Sequence, residues 1–318
     1  MSLPKIAVVG CGAFGRNHLR VVRDSARAEL VAAVDSDAAK AEAAAQEFGC
    51  KAAMDFRAIQ ADAAIIAVPT TQHAEIGCAL MEAGLDILVE KPIAAEVADA
   101  RRLVETAAAR GRILQVGQLE RFNPAVLALR KAVTIPLFFE IHRLSLFAPR
   151  SLDVDVVLDL MIHDLDIILA LTGEMPSEVR AAGIRILSEK VDIANVRLAF
   201  PGGCIANLTA SRASTEKVRK LRLFQPHEYI SLDYTRQDGM AISVGENRQI
   251  GFKPLAVEKR EPLAAQFDDF LNAIATRNCP TVSGVDGMRA LEVARDILDK
   301  IEEHTRIVNA RLSASERP

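Results

Sequence analysis

The feature that most constrains the fold is a glycine-rich turn after the first apolar run. The run KIAVV is continuous and apolar, and GCGAFG follows it at once. A GxGxxG pattern alone is a weak signal, but here it ends a strand and begins a segment of helical composition, the context in which such a motif binds a dinucleotide. Gly10 permits a tight turn, Gly12 lets the backbone approach a pyrophosphate, and Gly15 allows close packing of helix on strand. The helix N-terminus at Ala13 and Phe14 would present free N–H groups to the phosphates.

An acidic residue ends the second apolar run, ELVAAVD. Asp35 lies 20 residues after Gly15, where a carboxylate can accept hydrogen bonds from ribose hydroxyls and would repel a 2′-phosphate. The next residues, Ser36 and Asp37, add no positive charge. The pattern therefore predicts NAD as the cofactor and makes NADP less favoured. The alternative is that Asp35 only caps the following helix.

The pattern of apolar and helical segments changes near residue 120. Before it, continuous apolar runs alternate with helical segments, which predicts βαβ units and a doubly wound parallel sheet, an α/β Rossmann domain over residues 1–120. After it, β-rich alternating runs and a few long helical patterns predict an α+β domain with an open, mainly antiparallel sheet over residues 121–318. Pro201-Gly202-Gly203 predicts a hairpin turn within that sheet.

Composition narrows the classes of function. A net charge of -3 over 318 residues gives no electrostatic footprint for nucleic acid or an anionic membrane. No apolar run approaches the roughly 20 residues that span a bilayer. The five cysteines are odd in number and include no CxxC pair, which argues against a disulfide framework and a structural zinc site and predicts a cytoplasmic, reducing location.

A carboxylate and an imidazole lie four residues apart in VVLDLMIHDLDIILALTG. On a helix, Asp159 and His163 would share one face, and the carboxylate would orient the ring and raise its basicity. Such a pair can act as a general base for a hydroxyl proton. A purely structural pair is the alternative for an isolated DxxxH. A metal site with Asp164 and Asp166 is not favoured, because no further His or Cys stands at ligand spacing.

A charged pair interrupts the apolar stretch ILVEKPIAAE. Glu90 and Lys91 follow a predicted core strand, and Pro92 fixes the backbone after them. At the carboxyl end of a parallel strand, where ligands gather, the pair is better explained as facing a cofactor than as a solvated turn. An X–Pro bond also allows a cis peptide here.

Histidines elsewhere carry weaker predictions. In VPTTQHAEI, Thr70 and His73 follow a strand at the same sheet edge, where a cofactor contact and simple helix capping are equally supported. His227, in FQPHEY, lies in a Pro-bounded turn that would suit a cleft. His18 is expected to be a surface or packing residue.

Taken in order, GCGAFG, Asp35, VPTTQHAEI, VEKP, VGQLERFNP and DLMIHDLD resemble the glucose–fructose oxidoreductase/inositol dehydrogenase/MocA family over essentially the whole chain. The resemblance implies an enzyme with a Rossmann domain and a domain built on an open sheet. It makes Lys91 the lysine beside nicotinamide and substrate hydroxyl, and Asp159 and His163 the catalytic pair on the substrate side. The remaining contacts that we expect are Pro69, Glu90 and Gln118 for the cofactor and Arg121, Asn123, Arg150 and His227 for the substrate.

A narrower resemblance concerns the substrate. SLFAPRSLDVDVVLDLMIHDLD and RLFQPHEYISLDY are similar to the branch that acts on nucleotide-linked amino sugars, the UDP-N-acetylglucosamine 3-dehydrogenases. Asp155 and Met161 depart from the small residues usual in that branch. The alternatives are an inositol or simple aldose dehydrogenase, and, in another class, a regulator that binds dinucleotide without catalysis.

The expected reaction moves a hydride from a sugar carbinol to NAD while the hydroxyl proton leaves. A lysine is a base near neutral pH only if its pKa falls well below ~10.4, whereas a histidine titrates near ~6.5 without a shift. We therefore expect His163 to be the base and Lys91 to anchor the substrate. One face of the open sheet must be covered, which predicts a homo-oligomer, dimer or tetramer, with strands such as NVRLAF at the contact.

Overall fold

A computed structural model describes residues 3–147, 154–245 and 248–315, without the side chains of 312–315. The chain divides into two units. The first consists of Met1–Leu119 with Glu261–Met288, and the second of Glu120–Arg260 with Arg289–Pro318.

The first unit alternates strands and helices up to residue 119. Its elements are β1 (Lys5–Val9), α1 (Ala13–Asp24), β2 (Glu29–Val34), α2 (Ala38–Phe48), β3 (Lys51–Ala53), β4 (Ala63–Ile66), α3 (His73–Glu82), β5 (Asp86–Glu90), α4 (Val97–Arg110) and β6 (Leu114–Gly117). Asp37 caps α2 by accepting the N–H groups of Ala39 and Lys40, and glycines in the left-handed conformation end α2 and α4.

All six strands are parallel, in the order β3-β2-β1-β4-β5-β6. This is the doubly wound order with its switch point between β1 and β4, and it confirms the predicted Rossmann fold. The three-residue β3 was not predicted, because a segment that short carries no periodic signal. The central strands are fully buried along β4 and β5, as expected for a sheet covered on both faces.

The second unit is built on one sheet. One helix precedes its first strand in the chain, and a second helical segment lies between its first and second strands. Its elements are α5 (Pro124–Ala132), β7 (Phe138–Leu146), a π-helical turn (Val157–Met161), α6 (Ile162–Thr172), β8 (Glu178–Ile184), β9 (Ile193–Ala199), β10 (Ile205–Ser214), β11 (Val218–Gln225), β12 (Glu228–Asp233), β13 (Asp238–Val244) and β14 (Ile250–Pro254).

Eight strands pair in the order β14-β13-β12-β11-β7-β10-β9-β8. Among these eight described strands, only the β7–β10 pair is parallel, which confirms the predicted mainly antiparallel sheet. The predicted turn is also present: Phe200 and Cys204 close the β9–β10 hairpin, with Gly203 at φ +87°. One face of the sheet packs on α6 and α5 in a continuous apolar core.

Two helices complete the chain, α7 (Pro262–Thr276) and α8 (Gly284–Ser315). The structure departs here from the predicted division at residue 120. Helix α7 belongs to the first unit, because Leu263, Phe267 and Phe270 join the core of α1 and the parallel sheet. Among the described residues, no helix is both long and apolar enough to cross a membrane.

Candidate active site

The glycine loop forms the wall of a cavity at the switch point of the parallel sheet. A side chain at Gly10, which has φ +99°, would meet the carbonyl oxygen of Ala67 at 2.3 Å, and one at Gly15 would meet the carbonyl oxygen of Gly10 at 1.8 Å. Both positions therefore require glycine. Nothing lies within 4 Å of the place where a Gly12 side chain would stand. Gly12 is also the N-cap of α1, so the first N–H groups of this helix face an open cradle that suits a pyrophosphate.

The cavity has a volume of about 470 Å³. It brings together several of the predicted cofactor residues, Gly10, Gly12, Asp35, Ser36 and Pro69. It also includes residues that the sequence did not suggest, Lys40, Met54, Phe56, Val68, Gln72 and Ile76. Ala13, exposed Phe14 and the short turn that begins at Thr70 follow directly on its walls.

Asp35 is held in place by backbone N–H groups on both sides. Its Oδ2 accepts the N–H of Cys11 at 2.9 Å and its Oδ1 accepts the N–H of Asp37 at 2.9 Å. The helix cap is Asp37 rather than Asp35, which removes the alternative explanation for Asp35. Lys40 lines the same cavity, but its ammonium lies 3.6 Å from the Asp37 carboxylate, so this group of three charges remains net negative.

Glu90, the last residue of β5, is the buried member of the charged pair Glu90–Lys91. The peptide bond between Lys91 and Pro92 is cis. Glu90 is 9% exposed, and its carboxylate contacts the Nε2 of His18 at 2.7 Å through Oε1 and the backbone N–H of Lys91 at 3.2 Å through Oε2. The expectation for His18 was wrong in part: it is a buried partner of Glu90 and not a surface residue. Lys91 is half-buried.

His73 is also buried, beneath the same sheet edge. Its Nδ1 lies 2.9 Å from the carbonyl oxygen of Pro92 and its Nε2 3.0 Å from that of Val68. Burial lowers the pKa of His73, although the two carbonyls and the carboxylate of Glu90 act in the opposite direction. The neutral ring can donate to only one carbonyl at a time. His73 thus contacts the backbone just after β4 and just after β5. Gln118, after β6, is buried as well.

In the second unit, Asp159 and His163 lie at a change of helix type. Asp159 is within the π-helical turn and His163 in the first turn of α6; both are half-buried. The sequence predicted one regular helix, and the wider turn with i→i+5 hydrogen bonds is a correction to it. Single π turns inside helices are frequent at functional sites. Residues four apart still lie near one face in either geometry.

Asp155 and Met161, which replace the small residues usual in the UDP-N-acetylglucosamine 3-dehydrogenase branch, each have a structural explanation. The carboxylate of Asp155 accepts the N–H of Val191 at 2.9 Å, and the N–H of Val156 donates to the carbonyl of Val191 at 2.9 Å. Asp155 therefore fixes the start of the segment that carries Asp159. Met161 is fully buried in the core of the unit.

A buried charge network lies directly beside His163. Arg143 on β7 is 2% exposed and donates two hydrogen bonds of 2.7 Å to Asp164 and one of 3.0 Å to Glu120. The Tyr234 hydroxyl donates to Asp164 at 3.2 Å. Burial and the Asp164 carboxylate raise the pKa of Tyr234, which keeps its proton on this hydrogen bond. The sequence did not predict this network, which ties α6 to the sheet.

Arg121 and Asn123, two of the residues predicted to contact substrate, both hydrogen-bond to groups of the protein itself. Arg121 donates to the carbonyl of Asp166 at 3.3 Å. Asn123 is the N-cap of α5, accepts the N–H of Ala125, and uses its amide donors on Glu120 and the carbonyl of Tyr234. Its donors are therefore occupied, which leaves none for a substrate.

His227 is not brought to this group of residues. It stands exposed at the tip of the β11–β12 hairpin with φ 62°. The hairpin tip lies beyond the pair formed by Phe224 and Phe138, at one end of β7. Arg143 lies five residues from Phe138 in the opposite direction. At the usual rise of a strand, His227 and Arg143 are therefore roughly 20 Å apart. Arg150 lies outside the described residues.

Asp164 and Asp166, considered above for a metal, are used otherwise. Asp164 is paired with Arg143, and Asp166 lies 3.6 Å from Arg121. Across residues 3–147, 154–245 and 248–315, no cluster of three or more His, Cys, Asp or Glu side chains is arranged to hold a metal ion.

Comparison with known proteins agrees with this architecture. Residues 4–118 match the model of an oxidoreductase family with an NAD-binding Rossmann fold, and residues 143–225 match the GFO/IDH/MocA C-terminal domain. UDP-N-acetylglucosamine 3-dehydrogenase of Acidithiobacillus ferrooxidans is 36% identical over 306 residues, which cover 94% of this chain and 97% of that protein. Inositol 2-dehydrogenase of Rhizobium meliloti is 27% identical over 95% of this chain and 98% of its own length.

A solved structure of the Acidithiobacillus ferrooxidans enzyme superposes with a TM-score of 0.90 at 35% identity, covering 95% of this chain and 99% of that one. The two family models together match more than half of the chain, and the similar dehydrogenases are matched over nearly their full lengths. These matches set aside the alternative of a non-catalytic regulator. The chain is an enzyme of the dehydrogenase class and belongs to the GFO/IDH/MocA oxidoreductase family.

Proposed function

We propose that this enzyme oxidises the 3-hydroxyl of UDP-N-acetylglucosamine with NAD as the hydride acceptor. The observation that carries the proposal is the 36% identity to a UDP-N-acetylglucosamine 3-dehydrogenase over 94% of this chain. A TM-score of 0.90 to the structure of that enzyme supports it. The nucleotide-linked amino sugar suggested by the sequence is the same substrate class.

The choice of NAD rests on the charges around Asp35. A carboxylate that two backbone N–H groups hold in one orientation is suited to accept hydrogen bonds from ribose hydroxyls. A 2′-phosphate placed there would face Asp35 and Asp37 with one ammonium, that of Lys40, already beside Asp37. The open space at Gly12 and the free N–H groups of α1 would hold the pyrophosphate.

In the proposed chemistry, oxidation of the carbinol removes a hydride from carbon and a proton from oxygen. Bound NAD supplies the hydride acceptor. His163 takes the hydroxyl proton as general base, and Asp159, four residues before it, stabilises the imidazolium that forms. Lys91 donates a hydrogen bond to the same oxygen and stabilises its developing negative charge.

Inositol is the second candidate substrate. The specific observation in its favour is the full-length match to an inositol 2-dehydrogenase at 27% identity. A cyclic polyol and a pyranose ring present the same secondary alcohol to a base and a hydride acceptor. The two candidates therefore differ in whether the substrate must carry a nucleoside diphosphate.

A substrate panel separates these proposals. We expect NADH formation, followed by absorbance, with UDP-N-acetylglucosamine and NAD, and at least tenfold lower kcat/KM with NADP because Asp35 opposes the 2′-phosphate. Free N-acetylglucosamine, free aldoses and myo-inositol serve as controls without the nucleotide. Turnover with myo-inositol and none with the UDP-sugar would replace the first proposal by the second.

The cytoplasm is the proposed compartment. All five cysteines are free thiols in the structure, and widely spaced free thiols are typical of proteins in a reducing environment.

We also propose that the enzyme is a homo-oligomer whose subunits meet on the outer face of the second unit's sheet. An apolar row crosses that face from strand to strand through directly paired residues. It runs along Phe252, Ile242, Tyr229, Phe224, Phe138 and Ile205. Phe252 is 65% exposed, and a contiguous apolar row of this length on a sheet marks a contact surface. A second copy is the occupant, because the row can pair with itself about a twofold axis.

The predicted strand NVRLAF contributes a different part of that face. Its outward residues Asn195 and Arg197 hydrogen-bond Thr209 and Asn207, so it is polar there. The apolar part of the contact is carried mainly by the strands from β11 to β14.

A negative charge introduced into this apolar row should dissociate the oligomer. We expect Phe252→Glu to shift the mass measured by light scattering after size exclusion to that of a single chain. Ile307→Glu is the matched control, because Ile307 on α8 is also 65% exposed but lies outside the row. A Phe252→Glu protein with the wild-type mass would contradict the proposed interface.

A further inference from the structure

The buried contact between α1 and the end of β5 has no role in the reaction as described so far. His18 is 1% exposed and Glu90 9% exposed, and the two residues are 72 positions apart in the chain. Burying a carboxylate and an imidazole is costly unless each is hydrogen-bonded. The 2.7 Å contact between Nε2 and Oε1 meets that need for these two atoms, with the imidazole donating because a carboxylate only accepts. The Nδ1 of His18 is buried without a hydrogen-bond partner among the described residues, so the contact with Glu90 is the one that orients the ring.

The packing around Glu90 leaves its carboxylate little freedom. Gly117 on β6 is the direct strand partner of Glu90, and a side chain at Gly117 would stand 2.7 Å from the carboxylate oxygen Oε1. The glycine therefore makes the space that the carboxylate fills. On the other side, His18 packs edge-on against the ring of Phe14, with ring centres 5.5 Å apart.

The second oxygen of Glu90 accepts the backbone N–H of Lys91 at 3.2 Å. After the following cis bond, the Nδ1 of His73 lies 2.9 Å from the carbonyl oxygen of Pro92. The buried side chains of Glu90, on β5, and His73, on α3, thus contact the backbone on the two sides of Lys91. The side chain of lysine has four rotatable bonds, so the position of its ammonium depends strongly on how well its backbone is fixed.

We propose that His18 and Glu90 form a positioning pair for Lys91: His18 orients the Glu90 carboxylate, and Glu90 holds the Lys91 backbone where its ammonium can meet the substrate hydroxyl. The proposal rests on the proposed function in one respect, that Lys91 contacts the substrate. The pair would act on the rate of the chemical step and not on cofactor affinity, because misplacing a contacting group by about 1 Å can cost roughly 10²-fold.

Two substitutions at position 18 separate positioning from packing. His18→Phe keeps the ring shape and removes the donor, and His18→Gln keeps a donor near the position of Nε2. We expect His18→Phe to lower kcat about 10- to 100-fold, with the dissociation constant for NADH, measured by fluorescence, within twofold of wild type. His18→Gln should recover kcat to within about threefold of wild type, since it restores the hydrogen bond to Glu90.

Hydrogen exchange tests the pair without any turnover. The Lys91 N–H should be protected in wild type and in His18→Gln, and should exchange at least tenfold faster in His18→Phe, as followed by mass spectrometry of the peptide that contains it. Equal loss of kcat in both variants, or unchanged exchange in His18→Phe, would overturn the positioning role. Lack of turnover by the wild-type protein on the substrate panel, with the exchange result as expected, would reject the proposed function and leave the pair intact.

Discussion

Replacing His163 with asparagine should lower kcat by about 10²- to 10⁴-fold, the usual contribution of a positioned general base. Asparagine keeps a polar side chain of similar size but cannot take the hydroxyl proton. The NADH dissociation constant should stay within twofold of wild type, because the glycine loop and Asp35 that support cofactor binding belong to the first unit. Steady-state kinetics with the best substrate of the panel gives kcat, and fluorescence titration gives the affinity.

His304→Asn is the matched control for that variant. His304 is an exposed histidine on α8, and its replacement should keep kcat within twofold of wild type.

Lys91→Met tests the proposed role of Lys91 as the cation that stabilises the developing alkoxide. Removing the ammonium should also lower kcat by at least tenfold, since the developing alkoxide loses its cation. Full turnover by Lys91→Met would remove Lys91 from the mechanism, and a His163→Asn enzyme within fivefold of wild type would mean that another group is the base.

Breaking the buried pair between Arg143 and Asp164 should have the largest effect on stability. Asp164→Leu leaves a fully buried guanidinium without its bidentate partner, and removing one member of such a pair costs about 3–5 kcal/mol. That is a large part of the total for a domain of this kind, about 5–15 kcal/mol. The double variant Arg143→Met/Asp164→Leu should recover most of the loss, because no charge remains unpaired and Glu120 keeps Arg219 at 3.8 Å.

Urea unfolding followed by tyrosine emission measures this effect in the second unit alone. The chain has two tyrosines and no tryptophan, and both, Tyr229 and Tyr234, belong to that unit. Arg222→Ala is the control, because its pair with Glu140 is partly exposed and such pairs contribute about 0–1 kcal/mol. Equal midpoints for Asp164→Leu and Arg222→Ala would show that the network does not stabilise the fold.

The parts of the site that the sequence predicts are those encoded by neighbouring residues. The glycine loop is one, because strand, turn and helix N-terminus follow one another within a few positions of Gly10. Asp35 is another, since its distance from Gly15 is set by one βαβ unit. For the same reason the fold class follows from periodicity alone, apart from the three residues of β3.

The parts that the sequence does not predict depend on distant partners. His18 lies three residues after Gly15, on the face of α1 that packs on the sheet, and that spacing alone could have suggested burial. Its partner Glu90 is 72 positions away, so the pair becomes visible only in the fold. The π-helical turn around Asp159 is also invisible, because VVLDLMIHDLD fits a regular helix equally well.

Helix α7 returns the chain to the first unit after the whole second sheet has been made, and this has a consequence for synthesis. The core of the first unit contains Leu263, Phe267 and Phe270, which follow Leu119 by about 150 residues of intervening chain. At translation rates of 5–20 residues per second, roughly 8 to 30 s separate the emergence of the parallel sheet from that of its last apolar helix. During this interval the apolar side chains that pack on Leu263, Phe267 and Phe270 in the finished unit are uncovered. Exposed apolar surface of this kind makes a nascent chain prone to aggregation.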